Sequence, residues 1–157
     1  WLLGPGGEGV LQGVLDWEMA GRGDPLADLG WLLSYWSDPA DPPVITDAVR
    51  VRYADHDYFP ILEVFVDEYG AFTAHPDTPD RAALVERYER ETGRDYRHDE
   101  FYRALGAAKL AVIGEGFFRA YLAGTAAKDS YPAMELIPFA LAEQGHQVLD
   151  GRRPLRH

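Results

Sequence analysis

The chain has 157 residues, no cysteine and a formal net charge of −11 at pH 7. These facts exclude a disulfide framework and any thiolate metal site. They also argue against a nucleic-acid partner, because phosphate contacts need a basic face. With 46% hydrophobic and 13% aromatic residues, the chain has the material for one buried-core domain spanning 1–157. No apolar run approaches the roughly 20 residues of a membrane helix, and the start lacks a signal peptide's basic and apolar regions. We therefore expect no membrane association and a cytoplasmic location. The acidity serves solubility, or steers a cationic substrate.

In chain order, Trp1–Leu3 and Val10–Trp17 read as two strands, with the turn-forming run Gly4-Pro5-Gly6-Gly7-Glu8-Gly9 between them. The chain opens without Met inside an apolar run, so upstream residues are expected. Asp24-Pro25 is a helix start, a capping side chain followed by a residue that fits the first helical position. Leu26, Leu29, Leu32, Leu33 and Trp36 follow at helical spacing. The prolines between Asp38 and Pro43 end that helix. Further helices are expected over Thr46–Tyr58, over Pro60–Tyr69, and from Thr78-Pro79 to Gly93. A long one runs from about Asp99 to Ala123. A last helical region covers Pro132–Leu149, with Pro138 expected to kink or split it. The fold class is therefore mainly α, with a short N-terminal β-hairpin that must pack on the helices or pair with other strands.

The richest stretch is Gly13-Val14-Leu15-Asp16-Trp17-Glu18-Met19-Ala20, followed by Gly23-Asp24-Pro25-Leu26-Ala27-Asp28-Leu29. A buried strand here delivers a carboxylate at its exit, where a rigid scaffold meets solvent. Asp16 and Glu18 differ by two and share a side if the chain is extended. Two such carboxylates attract a hard divalent cation such as magnesium. The competing reading is a turn-capping Asp16 and a solvated Glu18. Gly4-x-Gly6-x-x-Gly9 matches a glycine-rich phosphate loop only formally, since the first lysine is Lys109.

These residues resemble the signature of the aminoglycoside phosphotransferase-like family. The continuation Trp31-Leu-Leu-x-Tyr-Trp36 is most similar to the branch with kinase domains fused to acyl-CoA dehydrogenases. Ala83-Leu-Val-Glu-Arg-Tyr88, Thr92-Gly-Arg-Asp95, Phe101-Tyr102 and Lys109-Leu-Ala-Val-Ile113 resemble its later helices. The resemblance implies the helical C-terminal lobe of a protein-kinase-like fold. It implies transfer of a phosphoryl group from ATP, or sometimes GTP, to a small-molecule hydroxyl, with Mg2+. Asp16 is then the metal ligand, with Glu18 a possible ligand or supporting group. Asp24, Asp28, Tyr35 and Trp36 become substrate-side or architectural residues.

Such kinases carry a catalytic Asp and a metal-binding Asn in a loop before the metal-binding Asp. No Asp, Asn or His precedes Asp16 here, and His56-Asp57 comes after it, in the wrong order. The expectation is that no catalytic base lies in this chain and that the chain is inactive alone. Its exposed hairpin edge should favour self-association. A non-catalytic helical binding or regulatory module derived from a kinase lobe is the alternative. Residues 43–76 depart from the family pattern and leave the acceptor open.

Overall fold

The computed structural model describes residues 2–3, 11–17, 20–64, 73–125 and 134–156. Leu2–Leu3 (β1) and Leu11–Gly13 (β2) pair antiparallel, with a register shift between Leu2 and Leu3. The hairpin forms where it was expected, but its second strand stops at Gly13 and does not run on to Trp17. Asp16 takes a left-handed backbone, φ 72°, which a strand cannot accommodate.

Five helices with defined bounds follow: α1 (Pro25–Tyr35), α2 (Asp47–Tyr53), α3 (Arg81–Thr92), α4 (Asp99–Leu122) and α5 (Ile137–Leu149). Residues 59–64 are also helical. The chain is mainly α, as the pattern of apolar residues required. Three helix starts are capped by a side chain. The Asp24 side chain accepts from the Leu26 N–H at 3.0 Å ahead of Pro25. The Thr46 hydroxyl accepts from the Val49 N–H, and an Asp80 carboxylate oxygen accepts from the Ala83 N–H at 2.7 Å. The α3 cap is thus Asp80, two residues after the Thr78 start signal. Gly93, at φ 67°, ends α3 in the left-handed conformation that a residue without a Cβ adopts readily.

Pro138 marks a division of the last helical region, between a 3-10 turn at 134–135 and α5. It sits in the first turn of α5, where its missing N–H removes no intrahelical bond. The expected start of that helix at Pro132 falls outside the described residues, as do residues 65–69 of the expected 60–69 helix.

Helix α4, at 24 residues about 36 Å long, is the spine, packing on both α1 and α5. The α1–α4 crossing is close because of glycine. A Cβ on Gly30 would lie 2.4 Å from the Cβ of Tyr102, and one on Gly106 would lie 3.0 Å from the Ser34 hydroxyl. One apolar cluster gathers Ile45, Phe59, Leu62, Leu136, Ile137 and Ala140. A second joins Leu29 and Leu33 of α1 to Val85 of α3, with Leu155 packed against it.

Between the clusters lies a buried polar knot. Arg81, 1% exposed, donates two hydrogen bonds to Asp41, at 2.6 and 2.8 Å, and others to the carbonyls of Trp36 and Pro154. Arg153 donates to Gln147 Oε1, Asp41 and the Pro42 carbonyl. Arg103 pairs with Asp99 and donates to the Arg153 carbonyl. The C-terminal residues are thereby strapped to the turn after α1 and to the starts of α3 and α4. Burial alone pushes the Asp41 carboxyl up. The Arg81 hydrogen bonds and the charges of Arg153 and Arg81 outweigh it and hold the group below the ordinary carboxylate range. Burial also pulls Arg153 down, with Asp41 opposing.

Candidate functional site

The loop leaving β2 places Asp16 in solvent, two residues before the gap in description at 18–19. The Trp17 indole donates to the Val14 carbonyl at 2.6 Å and closes a tight local turn beside Asp16. A left-handed backbone at a non-glycine residue costs roughly 1–2 kcal/mol, and Asp is among the residues that tolerate it. The same turn ends the extended backbone at Asp16. Glu18 itself lies outside the described residues.

Asp24 stands at the other end of this loop, and both its oxygens are engaged. One caps α1, and the other accepts a hydrogen bond from the Tyr102 hydroxyl of α4. The hydrogen bond from Tyr102 is the largest influence lowering the Asp24 carboxyl, followed by the Leu26 N–H. The same bond raises the Tyr102 phenol. The sequence reading missed Tyr102 as a partner of Asp24. Its signal was the aromatic pair Phe101-Tyr102 one turn into α4, which spacing alone could not link to a residue 78 positions earlier.

Asp28 is exposed in the first turn of α1, where its charge complements the helix N-terminus. Tyr35 and Trp36 lie at the opposite end of α1, about 16 Å away by helix rise. They therefore do not join Asp24 in one constellation. The half-buried Tyr35 has its phenol raised by burial and lines an apolar cavity. The Trp36 indole donates to the Pro79 carbonyl at 2.7 Å and ties α1 to the start of α3. Among the described residues Lys109 makes no ion pair with a carboxylate. Its ammonium sits 5.9 Å from the centre of the Trp31 ring, a cation–π distance. His56 pairs with Glu135 at 3.2 Å, far along the chain from the Asp16 loop.

Among the described residues no group of three or more His, Cys, Asp or Glu is placed to hold a metal. Magnesium needs less. It keeps several waters and is usually bound by one or two carboxylates together with substrate phosphates. The exposed carboxylate of Asp16 fits that mode. Among the described residues, no helix is long and apolar enough to cross a membrane.

Comparison with known proteins agrees with the resemblance read from the motifs. The chain is similar to acyl-CoA dehydrogenase family member 11 of Mus musculus, 28% identical over 144 residues, covering 91% of this chain and 16% of that protein. The same protein of Gallus gallus is 25% identical over 145 residues, 90% of this chain and 16% of the relative. That of Rattus norvegicus is 28% identical over 138 residues, 86% and 15%. The chain thus spans about a sixth of the length of these relatives. No solved structure matches. The model of the phosphotransferase enzyme family matches residues 1–102, from the hairpin through α1 and α3 into the first turn of α4, and the chain belongs to that family.

Proposed function

We propose that this chain is the C-terminal, substrate-side helical lobe of a kinase that moves the terminal phosphoryl group of ATP to a hydroxyl of a small molecule. Residues 1–157 would act as one domain, and the family's dependence on ATP and Mg2+ would carry over. The observation that carries the reading is the exposed Asp16. It is held in a left-handed turn at the exit of a strand, within the segment that the family model covers. Non-glycine residues in this backbone region concentrate at functional sites. Bound there with nucleotide, magnesium would neutralise charge on the phosphates during transfer. Asp16 would hold the cation, and Glu18 would be a second or supporting ligand. Asp24, fixed by its cap and by Tyr102, would set the course of the loop between them. Asp28 would face solvent beside it.

The acceptor class follows less directly. The net charge of −11 favours a cationic acceptor by steering, such as an aminoglycoside, another amino-sugar or an amino-alcohol. A hydroxyacyl thioester is the alternative, suggested by the likeness to acyl-CoA dehydrogenase family member 11. Nucleic acid is not among the proposed partners.

The test uses the full-length protein with ATP, Mg2+ and a panel of those hydroxyl compounds, read by formation of ADP and of phosphorylated product. Transfer that disappears in Asp16→Ala, with the far-UV and near-UV circular dichroism unchanged, is the expected result. Near-normal transfer by Asp16→Ala would overturn the assignment of Asp16. No transfer to any acceptor, and no binding of magnesium-nucleotide by the full-length protein, would favour the non-catalytic module. The 157 residues alone are expected to transfer nothing, since the resemblance puts the catalytic base in a loop that precedes Asp16.

A further inference from the structure

The cavity at the far end of α1 has no part in the reading above. It is an open pocket of about 190 Å3, comparable in volume to the ~150 Å3 engineered cavity that takes up benzene. Its walls among the described residues include Leu110, Ile113 and Phe117 of α4, Ile137 and Leu141 of α5, and Leu62. It lies beside Ser34 and Tyr35, and so about 15 Å along α1 from Asp24.

Five of the described residues around it are polar, Ser34, Tyr35, Ser37, Gln144 and Arg153, and the polar groups of three of them are engaged within the chain. The Ser34 hydroxyl donates to the Trp31 carbonyl at 2.7 Å, and the Gln144 amide donates to the Ser34 carbonyl. The Arg153 guanidinium is taken up by Asp41, Gln147 and the Pro42 carbonyl. A charged ligand would lose its water and find no unpaired opposite charge there, since Arg153 already bonds Asp41. A hydrocarbon would lose nothing and would gain contact with the apolar walls. The cavity is open on one side, so a polar head can remain in water while the chain is buried.

We propose that this cavity is a binding site for an unbranched, uncharged hydrocarbon segment of about six to eight carbons, inserted between α4 and α5 with its polar end at the mouth. The inference rests on the cavity alone and stands whether or not the chain supports phosphoryl transfer.

The probes are 1-butanol, 1-hexanol, 1-octanol and 1-decanol, titrated into the full-length protein and followed by the methyl resonances of Ile113, Ile137 and Leu141. Saturable binding at one site is expected. Affinity should rise about fourfold per added methylene, then level off near 1-octanol as the cavity fills. Triethylene glycol should not bind. The substitution Ile113→Trp, at a part-exposed position, should lower 1-octanol affinity at least tenfold and move the plateau to a shorter alcohol. Leu141→Phe serves if that variant does not fold, with a smaller shift in the same direction. Three outcomes would each overturn the proposal: no saturable binding, affinity that climbs with chain length without a plateau, or resonance changes spread away from these methyls.

Discussion

Two regions of this molecule hold carboxylates in opposite ways. Asp41 has a side chain only 4% exposed, with Arg81 donating two hydrogen bonds to it and Arg153 a third. Through Gln147 and the carbonyls of Trp36, Pro42 and Pro154, these groups fix the last residues of the chain to three helices. Asp16 stands in water on a strained turn, and its neighbours Val14, Leu15 and Trp17 are exposed with it. The first carboxylate is placed where removing any partner strands a buried charge. The second is exposed, and in the proposed function it is the one that takes a ligand. Binding groups tend to sit on loops carried by a rigid scaffold, and here the scaffold's rigidity has an identifiable source.

Breaking the buried region should have the largest effect. Arg81→Ala leaves Asp41 short of its main partner, and the loss of one member of a buried pair typically costs about 3–5 kcal/mol. Urea denaturation should show a loss of that size. A loss below about 1 kcal/mol would mean that water reaches the knot. Next comes the helix crossing. Gly30→Ala puts a methyl 2.4 Å from the Cβ of Tyr102, so α1 and α4 must move apart. Overpacking of this kind costs about 1–3 kcal/mol and should pull Tyr102 away from Asp24. The check is the urea midpoint together with the upfield ring resonances of Tyr102.

Acid sharpens the same contrast. The Asp41 pKa is lower in the folded chain than its unfolded value of about 3.9. Its contribution is therefore complete above the unfolded value and lost as pH falls through the folded one. Stability should stay level with respect to Asp41 from pH 7 to about 5 and fall below about 4. The fall should be shallower in Asp41→Asn, which starts from a lower plateau. At the small end, Glu115→Ala removes a surface pair with Arg119 at 3.2 Å. It should change stability by at most a few tenths of a kcal/mol.

Much of the fold could be read from capping residues and apolar periodicity. Asp24-Pro25, the glycine stop at Gly93 and the long run after Asp99 each work locally, within one turn of chain. What could not be read was long-range. Arg81 shares the buried stripe of α3 with Val85 four residues on, and Arg103 shares that of α4 with Ala107. A charge in a buried phase is a legible warning. Its partners Asp41 and Pro154 lie 40 and 73 positions away, and no spacing rule names them. Pro138 does mark a division of the last helical region, but it stands in the first turn of α5 and not inside a continuous helix. In the candidate site, the turn at Asp16 was hidden by the β-rich residues around it, Val14, Leu15 and Trp17. They read as a continuous strand, and only backbone geometry shows where it stops.

The most direct test of the separation between scaffold and site is Asp16→Asn in the full-length protein, because Asn tolerates the same left-handed backbone and removes only the charge. The urea midpoint and the rate of ATP-dependent phosphoryl transfer would be measured on the same sample. An unchanged midpoint with transfer reduced at least about a hundredfold is the predicted result. Transfer close to that of the native protein, or a midpoint that drops as far as that of Arg81→Ala, would contradict the account.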